Sequence, residues 1–136
     1  MVRASRYIYL VLAWAFLLGL LAQVFLIGLG LFDDAEFRKV HANFGWILHL
    51  APILILPFAY LSRAGRAHWL WALALVGIVF LVPIFAVMRD STPVLAALHP
   101  VSAVLAFAVA CVVAWNSVRA LRARDEPAQG TRQSAL

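Results

Sequence analysis

The sequence predicts an all-α integral membrane protein, a four-transmembrane-helix bundle running up-down-up-down with both termini in the cytoplasm. Three observations carry this. Of 136 residues, 65% are hydrophobic and only 12% charged, whereas a soluble domain holds about half apolar residues. The charges gather in short polar segments and in the tail, which separate four apolar runs long enough to cross a bilayer. Lysine and arginine are also unevenly shared between the two ends: Arg3, Arg6, Arg63, Arg66, Arg119, Arg122, Arg124 and Arg132 on one side, Arg38, Lys39 and Arg89 on the other. Eight against three places the termini inside by the positive-inside rule. The net charge of +5 therefore reflects membrane topology and not a nucleic-acid partner.

The first helix is expected over 7–32, an uncharged run after the basic lead Met1 to Arg6. A signal-peptide core spans about 7–15 residues and is followed by a small-residue cleavage site, so this longer run reads as a retained helix. Asp33-Asp34-Ala35-Glu36 resembles a capping box, with Asp33 as N-cap and Glu36 three residues later. The second helix is then expected over 34–61, with Pro52 and Pro57 inside it as sites of a kink. Ser62 to His68 forms a basic loop with His68 solvated. The third helix is expected over 69–88 and the fourth over 93–118, where Pro93 suits a first helical turn. Residues 1–124 make one membrane domain, and 125–136 a disordered cytoplasmic tail. Cys111 has no partner for an internal disulfide and reads as a small packing residue.

Three histidines fall within the apolar runs, and an ionisable group in a membrane is a functional hypothesis by default. His41 lies seven residues after Asp34, and His99 seven after Thr92. Helices two and four run parallel, so at 1.5 Å per residue both rings sit about 10 Å below their helix starts. Two imidazoles at one depth on two helices can hold haem iron from opposite faces. His41, Gly45, His49 and Pro52 share a helix face, and Gly45 leaves room for a flat ring below His41. Below His99, Ser102, Ala103, Ala106 and Ala110 form a small-residue stripe, and helix one offers Gly19, Ala22, Gln23 and Gly30. Such stripes either admit a porphyrin or simply let helices approach closely.

His49 lies about 12 Å beyond His41 along the axis, too far to share one ion directly. It either contacts the cofactor or a quinone, or is a satisfied core histidine. Gln23 hydrogen-bonds a ligand or bridges helices. Arg38 and Arg89 lie where outward propionates of a haem would meet them, or serve loop solubility.

His41-Ala42-Asn43-Phe44-Gly45 and His99-Pro100-Val101-Ser102-Ala103 resemble the His-x3-Gly and His-Pro-x-x-Ala elements of an uncharacterised family of small bacterial four-helix membrane proteins. The layout is also similar to one half of a haem A synthase, or to a b-type membrane cytochrome, whose helices supply haem histidines near the outer face. Haem A synthases usually carry a glutamate three residues before their first histidine, where this chain has Arg38. The resemblance thus implies haem binding and does not carry haem-modifying chemistry. The expectation is a haem b protein of the bacterial cytoplasmic (inner) membrane with His41 and His99 on the iron. It would serve electron transfer or redox sensing, with a quinone, a redox partner or a second copy of the chain as possible associates. The alternative is a cofactor-free membrane scaffold or assembly subunit whose histidines hydrogen-bond in the core.

Overall fold

A computed structural model of the chain describes residues 1–122. The cytoplasmic tail expected over 125–136 lies outside them. The described residues contain only helices: α1 (Val2–Phe32), α2 (Phe37–Leu48), α3 (Ala51–Leu61), α4 (Arg66–Val87), a 3-10 turn (Met88–Asp90), α5 (Pro93–Ala96) and α6 (Leu98–Arg122). Among the described residues four stretches are long and apolar enough to cross a membrane: Val2–Phe32, Phe37–Leu61, Arg66–Asp90 and Pro93–Arg122. Consecutive spans pack side by side and the last returns to the first. The expected up-down-up-down bundle is what forms.

Prolines decide where the spans break. Proline lacks an N–H and its ring clashes with the carbonyl four residues back. For Pro52 that carbonyl belongs to Leu48, the last residue of α2, and for Pro100 to Ala96, the last of α5. The expected helix 34–61 is accordingly two helices hinged at His49–Leu50, and the expected helix 93–118 is a short turn followed by Leu98–Arg122. Pro57 and Pro83 remain inside α3 and α4.

Other boundaries also move. The first helix starts at Val2, not residue 7, because nothing between Met1 and Tyr7 disfavours helix. Arg6 lies within it, and its Nε donates to the Ser62 carbonyl at 2.9 Å. The capping box does not form. Asp33 closes α1 with its N–H on the Leu29 carbonyl, and the Asp34 carboxylate accepts from the Glu36 N–H at 2.9 Å, so α2 begins only at Phe37. The third helix starts at Arg66, just after Gly65, whose φ of 115° is a conformation glycine tolerates. His68 is therefore a half-buried residue in the first turn of α4, edge-on to Tyr9 with ring centres 6.4 Å apart, rather than a solvated loop residue.

The bundle is tight at one end and open at the other. Tyr9, Ala13, Phe16, Ile55, Ala59, Leu75, Val113 and Ala120 are among the buried core, all from the half that holds both Val2 and Arg122. Tyr9 donates its hydroxyl to the Val113 carbonyl at 3.1 Å within that core. In the other half α2 contributes no buried residue and packs mainly on α1, whereas α3 packs on both α1 and α4. The hinge before Pro52 thus separates a packed segment from one that stands off α4 and α6. Large apolar side chains such as Val24, Phe25, Trp46, Ile47 and Val104 cover the outside, as a lipid-facing surface requires. Cys111 also faces outward and not into the core.

Candidate functional site

The open half encloses a cavity of about 740 Å³ between α1, α2, α4 and α6. Its lining includes all eight residues singled out from the sequence: Gln23, Arg38, His41, Gly45, His49, Arg89, His99 and Ala103. The structure brings these together because α2 diverges from α4 and α6 while glycines hold it against α1. A Cβ on Gly19 would sit 2.6 Å from Leu48 Cδ1, and one on Gly30 would sit 2.8 Å from Arg38 Cγ and 3.0 Å from the Arg38 nitrogen. These two glycines therefore seat α2 on α1. They do not open a groove for a ring.

His41 and His99 face each other with ring centres 6.4 Å apart and planes 79° from parallel. Each ring is held by a carbonyl from a different helix. His41 Nδ1 lies 3.0 Å from the Gln23 oxygen of α1, and His99 Nδ1 lies 2.8 Å from the Val82 oxygen of α4. A carbonyl can only accept, so each Nδ1 carries the proton and donates. In the neutral ring Nε2 is then a lone-pair acceptor, and among the described residues neither Nε2 has a hydrogen-bond partner. The two rings do not hydrogen-bond each other.

His49 repeats the pattern one turn past Gly45. Its Nδ1 donates to the Gly45 carbonyl at 2.6 Å, and its Nε2 is buried with no partner. The Trp46 ring centre lies 5.9 Å from that of His49. The space over Gly45 is taken by Gln23: a Cβ there would meet the Gln23 Nε2 at 2.7 Å. Gly45 thus accommodates an amide, where the sequence suggested room for a flat ring. The Gln23 Oε1 is likewise buried without a partner.

The cations are partly engaged. Arg38, which lines the cavity, donates its Nε to the Gly30 carbonyl at 2.9 Å, tying the start of α2 to the end of α1. Arg89 pairs with Asp90 at 3.3 Å on the exposed 3-10 turn. Lys39 pairs with Glu36 at 2.8 Å on the outer surface and does not line the cavity. Among the described residues no group of three or more His, Cys, Asp or Glu side chains is placed to hold a metal ion. Sequence reasoning missed the wall supplied by the third span, chiefly Val79, Val82 and Pro83. These residues are apolar, and the only sign of their importance was a proline within a membrane helix.

A family model described as a family of unknown function (DUF6220) matches residues 23–89. That stretch holds Gln23, Arg38, His41, Gly45, His49 and Arg89 and ends before His99. No curated protein and no solved structure matches the chain.

Proposed function

We propose that this multi-pass membrane protein binds haem b through His41 and His99, one on each face of the macrocycle, and serves electron transfer or redox sensing. The observation that carries the reading is the mutual placement of the two rings. A metal–imidazole bond of about 2 Å, with about 1 Å more to the ring centre, separates two axial imidazole centres by roughly 6 Å. The observed 6.4 Å meets that requirement. Metal-bound histidines nearly always donate their other ring nitrogen to a carboxylate, carbonyl or water, which fixes tautomer and orientation. The Gln23 and Val82 carbonyls provide this on both sides. Porphyrin nitrogens fill the equatorial positions, so two protein ligands suffice where a bare ion would need more. The cavity of about 740 Å³ falls within the range of about 300–1,000 Å³ common to cofactor pockets.

Held by His41 and His99, haem would supply one-electron exchange. The chain's own residues would then do three things. His41 and His99 set the ligand field, α1 and α4 hold their orientation, and the apolar wall keeps the local dielectric low. Arg38, which lines the cavity, would pair with a propionate through its terminal nitrogens while its Nε stays on the Gly30 carbonyl. The arginine distribution supports both termini in the cytoplasm, and the resemblance to small bacterial four-helix proteins supports a bacterial cytoplasmic membrane.

The second reading is a cofactor-free scaffold, favoured by the fact that all three cavity histidines satisfy Nδ1 on backbone carbonyls. The two readings differ at Nε2. The protein expressed with ample haem and purified in mild detergent should give a low-spin reduced-minus-oxidised spectrum. His41→Ala and His99→Ala should each abolish it, while His68→Ala should not. A haem-free preparation, or an intact spectrum in the His99 variant, sinks the haem reading.

A further inference from the structure

We infer that the inner part of the cavity, at His49 and Gln23, is a second binding site for an apolar aromatic ligand bearing a hydroxyl group, and specifically for a quinol in preference to its quinone. The inference goes beyond iron at His41 and His99 and does not depend on it. His49 and Gln23 both line this cavity, and each carries a buried acceptor without a partner, the Nε2 of His49 and the Oε1 of Gln23, which a small side-chain rotation would present to a ligand. Both flank Gly45, the histidine through its bond to the Gly45 carbonyl and the amide by lying over the Gly45 backbone. In the hydrocarbon region no bulk water satisfies such groups, and a buried acceptor without a donor is unfavourable.

The chemistry of the missing partner follows from the donors already assigned. His49 Nδ1 holds its proton on a carbonyl, so the neutral ring offers Nε2 as an acceptor only. A ligand must therefore bring a hydrogen-bond donor to His49. A quinol has phenolic hydroxyls that donate. The oxidised quinone presents carbonyls, which accept, and would set a lone pair against a lone pair. The surroundings suit the ring, since Phe16, Leu20 and Val79 line the cavity with apolar surface and Trp46 lies against His49. A membrane-dissolved quinol can enter from the lipid side, where α2 stands off its neighbours.

The test uses the full chain in detergent, titrated anaerobically by calorimetry with three probes: duroquinol, duroquinone and durene. Duroquinol should bind at least about tenfold more tightly than duroquinone, because a site built to receive a hydroxyl discriminates strongly against a ligand lacking it. Durene, with the same apolar body and no oxygen, should bind no better than duroquinone. His49→Phe and Gln23→Met should each weaken duroquinol by about tenfold or more, with helical content and elution unchanged. Equal affinity for the three probes would reduce the site to an apolar cavity and overturn the inference. So would an absence of duroquinol binding, which leaves water as the occupant, or tight binding that survives both substitutions. The probe comparison on the unaltered chain decides the matter even if one variant fails to fold.

Discussion

Gly30→Ala tests how the site is positioned. Gly30 is buried near the end of α1, and an added Cβ would lie 2.8 Å from Arg38 Cγ and 3.0 Å from the Arg38 backbone nitrogen. The first contact is with the root of a side chain already tied to the Gly30 carbonyl, and the second is with backbone, so relief requires α2 itself to shift. Overpacking of this kind costs about 1–3 kcal/mol. Gly28 is two residues away on the same helix, and a methyl group added there would have nothing within 4 Å. Both substitutions gain up to about 1 kcal/mol of helix propensity. Gly28→Ala should therefore be neutral or slightly stabilising, with Gly30→Ala about 1–3 kcal/mol below it. Tryptophan fluorescence during heating in one detergent should show that gap as several degrees in apparent Tm. Gly30→Ala should also displace His41, which follows Arg38 by one turn, and so perturb any spectrum that depends on the His41–His99 pair. A Gly30→Ala protein that melts at or above Gly28→Ala would refute the close seating of α2 on α1.

Other expectations are more local. Tyr9→Phe removes a buried hydroxyl from the Val113 carbonyl, and should lower stability by about 0.5–1.5 kcal/mol in a denaturation series. Pro52→Ala supplies an N–H opposite the Leu48 carbonyl and should straighten the hinge, seen as protection of the new amide at position 52 from hydrogen exchange. On the haem reading, Arg38→Met should weaken haem retention during washing, because it removes the cation that lines the cavity beside α1. Lys39→Met should leave retention unchanged, since its partner Glu36 is on the exposed surface and such pairs contribute about 0–1 kcal/mol.

The four spans were legible because a bilayer enforces long uncharged runs, and Asp33 to Lys39, Ser62 to Gly65 and Arg89 to Thr92 interrupt them. That His41 and His99 come near one another was legible too, but not by the expected route: α2 starts at Phe37, and the fourth span breaks before Leu98, so an equal count of residues from two helix starts does not set their placement. The interruptions within the spans were harder. Pro52 and Pro57 look alike in sequence, yet only Pro52 coincides with a break in the helix. Glu36 looked like a capping residue, but Asp34 captures its N–H in a turn first. Gly19, Gly30 and Gly45 were recognisable as places lacking bulk. What fills each place depends on the partner helix: Leu48, Arg38 and Gln23 respectively. The role of Val82 lies in a backbone carbonyl, which no side-chain pattern announces.

The two facing imidazoles are cross-tied. His41 grows from α2 but is pinned to α1, and His99 grows from α6 but is pinned to α4. Their separation is thus fixed jointly by four helices, and no single helix can tilt without changing it or breaking a tie. The pair therefore couples the four helices: a displacement of any one of them changes the spacing of the two rings or breaks a backbone tie.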